Sequence, residues 1–257
     1  MASTPSERAV GQYFASTRNL DARMALHSYG TNPQNWFSWL AQRLPLDGDV
    51  LEVGAGTGKL WEYVDRRPGR LVLTDFSPAM CAQLRQVSDA DVLRCDAGDL
   101  PFRDGCFDVV IANHMLYHLD DPDSALREFA RVLRPGGRVA VGTNGTDHLR
   151  ELEDLAASVG RPDLTIGGGR NGFTAESGPR RVADWFDDVQ MERYLCDLDV
   201  PEPGPVVAYL DSLSERPLSA EQRAEVRGRF LVRKHTVLIT GRRRFDHSTT
   251  LGDADTR

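Results

Sequence analysis

Three glycines at alternate positions, in Leu51-Glu52-Val53-Gly54-Ala55-Gly56-Thr57-Gly58, bring backbone N–H groups close to a ligand because glycine has no Cβ to hold it away. An acidic residue, Asp75, follows about 20 residues later, where a carboxylate can accept both hydrogen bonds of a ribose diol. Together they predict a ribose-bearing ligand. A dinucleotide fingerprint starting at Gly54 would need glycine where Lys59 stands, so no pyrophosphate cradle is expected. Glu52, just ahead of the loop, suits a cationic amine better than an anionic phosphate. Farther on, His114 and His118 are four residues apart and would share one face of a helix. An imidazole there can take a proton from a hydroxyl or accept a hydrogen bond from an amine. The plainer reading of His118, within Leu116-Tyr117-His118-Leu119, is packing or capping. Tyr13, Tyr29 and Tyr117 are candidates to line a substrate pocket, although aromatic residues beside an apolar stripe are more often core. Arg170, Arg180 and Arg181 could meet an acidic group, although loop arginines are usually solvated.

Strands ending in tight turns must hold these residues. Val50–Val53 runs into the glycine loop, with a helix expected through Leu60, Trp61 and Val64. Leu71–Asp75 reads as a second strand, followed by Ser77-Pro78 as an N-cap and first helical position for a helix from Met80 to Val87. Asp91–Asp96 and Phe107–Asn113 read as the third and fourth strands. A helix then opens at Asp121-Pro122, carries Leu126, Phe129, Ala130 and Leu133 on one stripe and stops at Pro135-Gly136-Gly137 before a fifth strand, Arg138–Gly142. Asp120 and Asp121 supply its N-terminal charge and cap. Strands alternating with helices predict an α/β fold, a parallel sheet with helices on both faces.

Around this frame the pattern loosens. Gln34–Leu44 has a helical period with Trp36, Leu40 and Leu44 on one stripe and Trp39 beside it. The expected domains are an N-terminal helical arm or lid (1–45), a main domain (46–245) with a cap insertion at about 147–229, and a flexible tail (246–257). Further strands are expected at Val189–Val200 and Thr236–Thr240, a helix near Ser219 with capping-box spacing to Gln222, and fraying from Arg242 onward.

The chain has 257 residues, 40% hydrophobic, enough for one sizeable core. A net charge of −7 argues against sequence-independent nucleic-acid binding, which needs a basic surface. No apolar run approaches the roughly 20 residues of a membrane span, and the polar start, Met1 to Arg8, lacks a leader pattern. A cytoplasmic protein with no membrane partner is expected. Cys81, Cys95, Cys106 and Cys196 form no C-x-x-C pair and read as reduced structural thiols.

With these residues in view, the chain resembles the class I S-adenosylmethionine-dependent methyltransferases, in particular the small-molecule type, over roughly Leu46 to Gly142. The resemblance implies a Rossmann-like, seven-stranded, mostly parallel sheet whose last strand is antiparallel, and S-adenosylmethionine as cofactor, with S-adenosylhomocysteine as product. It implies that Glu52, Gly54, Ala55, Gly56 and Gly58 hold the methionine part and that Asp75 binds the ribose hydroxyls. Phe76 and Met80 would pack on adenine, Asp96 and Ala97 would meet its amino group, and Asn113 joins the cofactor set. Phe107-Asp108-Val109-Val110 and Leu133-Arg134-Pro135-Gly136-Gly137 match the family's later motifs. Asn113-His114-Met115-Leu116 replaces the polar-Pro-Pro-aromatic motif of base-modifying enzymes and is a poor magnesium site, so no metal is expected. The expected reaction is in-line methyl transfer to an O or N atom of a small-molecule metabolite, with natural-product intermediates among the acceptors and His114 or His118 as the catalytic candidates. The alternatives are a nicotinamide-dependent oxidoreductase, a binding subunit, or a methyltransferase acting on carbon, RNA or protein. The acceptor and the oligomeric state are not legible.

Overall fold

The computed structural model describes residues 17–66, 68–87, 89–166 and 172–245. Its main sheet has seven strands: β1 (Asp49–Val53), β2 (Arg70–Asp75), β3 (Ala90–Arg94), β4 (Phe107–Asn113), β5 (Leu133–Asn144), β6 (Phe186–Tyr194) and β9 (Thr236–Arg243). They lie in the order β3-β2-β1-β4-β5-β9-β6. Neighbours from β3 to β5 are parallel, and β9 runs antiparallel to both β5 and β6. This is the expected Rossmann-like arrangement. The order reverses beside β1, so the carboxyl ends of β1 and β4 open on a crevice.

Both sheet faces are sealed by apolar side chains. On one face Phe107, Val110 and Val139 pack with Leu126 and Phe129 of the helix Pro122–Val132. Asp121 caps that helix by accepting from the N–H groups of Asp123 and Ser124, and Pro122 takes the first position, where its missing donor costs nothing. The helix ends two residues earlier than Pro135 would require, because Leu133 already pairs with Phe107 as the start of β5. On the other face Trp36, Trp39 and Leu40, from the helix Trp36–Ala41, cover Val50, Leu73 and Ile111 together with Trp61 and Leu84.

A third apolar cluster lies away from the sheet. Leu26 of the helix Thr17–His27 packs with Leu152 of Arg150–Ser158 and with Val206 and Leu210 of Pro203–Asp211. The short ribbon β7 (Leu198–Val200) and β8 (Phe230–Val232) completes it through Leu198 and Val232. No described helix is long and apolar enough to cross a membrane.

Four expectations are corrected. The helix after the glycine loop is one 3-10 turn, Lys59–Glu62, and the chain from Tyr63 to the start of β2 is not helical in the residues described. Val189–Val200 divides between two sheets. The chain leaves β6 at exposed Leu195 and turns where Asp197 bonds Thr31 through both backbone groups, donating to Oγ1 and accepting from N–H. The segment 147–229 is consequently not one cap insertion, since β6 belongs to the main sheet. Arg242 and Arg243 are not frayed but end β9, while 246–257 lies outside the described residues. At Ser219 both capping-box bonds are present. All four cysteines are free thiols.

Candidate active site

The glycine loop lies at the carboxyl end of β1 and is stitched to β2. Ala55 N–H donates to the Thr74 carbonyl at 2.9 Å, and Gly56 N–H donates to Asp75 Oδ2 at 3.0 Å. The other Asp75 oxygen accepts from Ser77 N–H at 2.9 Å, and the Ser77 hydroxyl caps the following helix, Pro78–Leu84, at Met80. Burial pushes the Asp75 carboxyl above its ordinary range, against these backbone donors.

Gly54, Gly56 and Gly58 all take left-handed φ values of 67°, 59° and 76°. Their surroundings differ. A Cβ on Gly54 would stand 2.8 Å from Met115 Cβ, and one on Gly58 would stand 2.7 Å from Val87, whereas one on Gly56 would meet nothing within 4 Å. Gly54 and Gly58 are closed in by protein, and Gly56 faces open space. Gly54→Ala should therefore lower Tm markedly through a backbone-side clash. Gly56→Ala should cost only the left-handed penalty of about 1–2 kcal/mol while placing a methyl where a ligand would approach. Thermal melts with and without S-adenosylhomocysteine check this, and retention of ligand binding in Gly56→Ala would remove that position from the cradle.

Glu52 is buried, and its carboxyl accepts from Trp61 Nε1 at 2.5 Å. Burial, with a contribution from the Asp75 charge, pushes it up to about 8. Burial thus opposes its ionisation, while the indole N–H favours it. Phe76 is half-buried with the Arg94 guanidinium 5.4 Å from its ring centre, while Met80 and Ala97 are buried. Asp96 is exposed and accepts from Gly98 N–H at 2.8 Å.

At the end of β4, Asn113 Oδ1 accepts from Trp36 Nε1 at 3.0 Å, tying the strand end to the N-terminal segment. His114 takes a left-handed φ of 56°, rare for a non-glycine residue, and its N–H donates to the Gly142 carbonyl at 3.0 Å. Its ring meets Trp36 edge-on at 5.2 Å and Tyr117 at 6.1 Å, and Tyr117 in turn packs on His118 at 4.4 Å. The two histidines do not share a helix face, because only Leu116–His118 forms a 3-10 turn and His114 precedes it. Burial lowers His114 to about 3 and His118 to about 4, with Lys234 adding to the first and Arg23 to the second.

The expected pocket tyrosines separate. Tyr117 stands between the histidines, Tyr29 packs against the third apolar cluster, and Tyr13 lies outside the described residues, as does Arg170. Arg181 is ion-paired to Asp123 at 2.9 Å, and Arg180 is exposed. Sequence reasoning missed His148, Tyr194 and Lys234, which with His27 of the N-terminal arm gather near His114 from distant segments. Among the described residues one trio with metal-ligand chemistry, Asp147, Glu176 and His235, gathers its donor atoms within 4.8 Å. His235 Nδ1 is hydrogen-bonded there to Asp147.

A methyltransferase-domain family matches residues 51–141, the span from β1 through β5 that carries this loop, Asp75 and His114. The ubiquinone/menaquinone biosynthesis C-methyltransferase UbiE of Xanthomonas oryzae is 34% identical over 154 residues, covering 55% of this chain and 60% of that protein. UbiE of Idiomarina loihiensis is 38% identical over 102 residues, or 36% of this chain and 41% of its own length. The chain thus spans less than two thirds of the length of these relatives. Among solved structures, a S-adenosylmethionine-dependent methyltransferase from Thermotoga maritima superposes with a TM-score of 0.58 at 18% identity, covering 90% of this chain and 98% of that one. The cyclase SpnF gives 0.61 at 20% identity, covering 95% and 97%. These two likenesses speak to the fold. The matched domain and the strand order agree: residues 51–141 of this chain form a methyltransferase domain on a Rossmann-like sheet.

Proposed function

We propose that this protein transfers a methyl group from S-adenosylmethionine to a small-molecule acceptor. The observation that carries the reading is the left-handed glycine loop latched to Asp75, with open space only at Gly56. Gly54, Ala55, Gly56 and Gly58 would hold the methionine part through backbone groups, Asp75 the ribose diol, Phe76 and Met80 the adenine faces, and Asp96 and Ala97 its edge. The cofactor supplies a sulfonium methyl that a nucleophile can displace in line. Glu52 and Asp75 put two acids beside the loop, and an arriving cation would favour their ionised forms.

His114 is better suited to accepting a hydrogen bond than to removing a proton. A general base works best with a pKa near the working pH, and burial holds His114 near 3 and His118 near 4. The acceptor atom therefore needs little help from an imidazole base. It is an amine already free of its proton, or a carbon or oxygen activated by a neighbouring oxyanion. The names of the UbiE relatives support carbon over the oxygen or nitrogen expected from sequence. Catalysis then comes from alignment and exclusion of water. The matched methyltransferase domain supports this reading over the nicotinamide alternative. A cytoplasmic enzyme with no metal at the reacting methyl and without nucleic-acid or membrane partners remains part of this proposal.

A thermal shift against S-adenosylhomocysteine, with NADH and NADPH in parallel, tests it. Ligand at a hundred times its Kd adds about 2.7 kcal/mol to stability. Stabilisation by S-adenosylhomocysteine alone is expected, and stabilisation by a nicotinamide nucleotide alone would overturn the proposal.

A further inference from the structure

Three donor side chains converge at the carboxyl edge of the sheet from separate segments. Asp147 comes from the turn after β5, Glu176 from the stretch before the helix Gly178–Ala183, and His235 from the residue just ahead of β9. One ligand atom of each lies within 4.8 Å of the other two. His235 Nδ1 stands 2.5 Å from Asp147 Oδ1 and 3.7 Å from Glu176 Oε1. The backbone holds the imidazole in place, since the His235 carbonyl accepts from Gly145 N–H at 2.8 Å and its N–H donates to His148 Nδ1 at 3.1 Å. Its ring lies against Gly145, where any Cβ would overlap Nδ1. Glu176 is aimed by Thr146 N–H, which donates to both carboxylate oxygens at 3.3 and 3.2 Å, and Arg233 stands 3.7 Å from Asp147 Oδ2. The ring is 16% exposed and the two acids 42% and 47%, so the group is held from within and open to solvent. Burial acts to raise both carboxyls, and hydrogen bonds from His235 and Thr174 outweigh it, leaving both below their ordinary range. Two carboxylates thus face a single ring nitrogen, which can donate one proton to one of them.

A divalent cation answers both charges at once. Bonds of about 2.0–2.2 Å from zinc to imidazole nitrogen and carboxylate oxygen put neighbouring ligand atoms roughly 3–3.5 Å apart. The separations of 2.5 and 3.7 Å bracket that spacing, so the Asp147 pair opens slightly and the Glu176 pair closes. We propose that Asp147, Glu176 and His235 form a binding site for a divalent first-row transition ion of the zinc type, with at least one coordination position left to water. An imidazole beside two carboxylates suits such an ion, whereas magnesium and calcium prefer a full set of oxygens. On binding, the ring proton moves from Nδ1 to Nε2 by way of water, and the electron pair that held it on Nδ1 forms the bond to the metal. Nothing is oxidised or reduced. The ion fastens the turn after β5 to the lead into β9, at the edge of the sheet where the glycine loop also lies. No part of this rests on the methyltransferase reading, so the two stand or fall separately.

The test titrates zinc chloride into tag-free protein that has been stripped with a chelator and dialysed, by calorimetry, with melting curves in parallel and magnesium chloride as the control. One zinc ion per chain and a raised Tm are expected, with magnesium about tenfold weaker or more. Glu176→Gln, which keeps an acceptor for Thr146 N–H, and His235→Ala should each weaken zinc by about tenfold to a hundredfold, a loss typical even of groups that only support a ligand. Cobalt(II) reports the ligand type. Weak visible bands without the near-ultraviolet band of a thiolate are expected, since no cysteine belongs to the trio. No saturable zinc binding, magnesium bound as tightly as zinc, unchanged zinc affinity in either folded variant, or a thiolate band would each overturn the proposal. Glu176 is exposed, so its variant keeps the test decisive even where His235→Ala fails to fold.

Discussion

Asp75→Ala is expected to weaken S-adenosylhomocysteine binding by about a hundredfold or more. A hydrogen bond to a charged group is worth about 1.5–3 kcal/mol, so two from a ribose diol are worth at least about 3 kcal/mol, and each 1.4 kcal/mol is tenfold in affinity. The same carboxylate accepts from Gly56 and Ser77 in the protein, so the substitution also unlatches the loop. That second effect is about 1 kcal/mol at the half-buried Gly56 and about 1–3 kcal/mol at Ser77, which is buried and would lose its acceptor. Titration calorimetry and a thermal melt separate the two. A large loss of affinity with a modest fall in Tm is expected, whereas unchanged affinity would remove Asp75 from the site.

The second large effect is on stability against pH. In the unfolded chain the imidazoles titrate near 6.5, and in the fold His27 and His114 titrate near 3 and His118 near 4. Below 6.5 the unfolded chain therefore binds more protons, so their contribution is complete above pH 6.5 and is lost as pH falls toward the folded values. Each costs up to about 1.4 kcal/mol per pH unit over that window, and His148, lowered in the same direction, adds to the loss. Glu52 works in the opposite sense. Its carboxyl titrates near 8 in the fold against 4.5 unfolded, so its contribution is complete below 4.5 and is lost as pH rises to 8. Tm should fall steeply from pH 6.5 to 5. Lys234, lowered by burial, contributes stability that rises toward pH 10.5, so the acid is isolated by comparison with a variant. Between pH 6.5 and 8, wild type should lose stability relative to Glu52→Gln by about 1.4 kcal/mol per unit. Parallel melting curves for the two proteins across this range would refute the assignment to Glu52.

The parts of the fold legible in sequence are those fixed by local rules. β1, β2 and β4 are buried on both faces and read as continuous apolar runs, and the caps at Ser77, Asp121 and Ser219 read directly from residue type and spacing. The loop and Asp75 were legible because both sit at strand ends of fixed separation. What failed depended on contacts distant in sequence. The division of 189–200 between two sheets is set by Thr31, and the burial of Lys234 and His27 by elements far apart in the chain. The helix expected after Gly58 is a single 3-10 turn, whose Leu60 and Trp61 are buried in the sheet's second cluster.

The position of β9 also bears on how the chain is assembled during synthesis. β6 touches the main sheet only through β9, which follows it in the chain by some forty residues and inserts between β5 and β6. Until Thr236–Arg243 leaves the ribosome, β5 has a bare edge and β6 has no sheet to join. The nascent chain must therefore hold two unpaired strands apart, each a template for mispairing, until a single late segment closes both at once. That same segment begins directly after Lys234 and His235, so these two side chains take their places last, with the closure of the sheet.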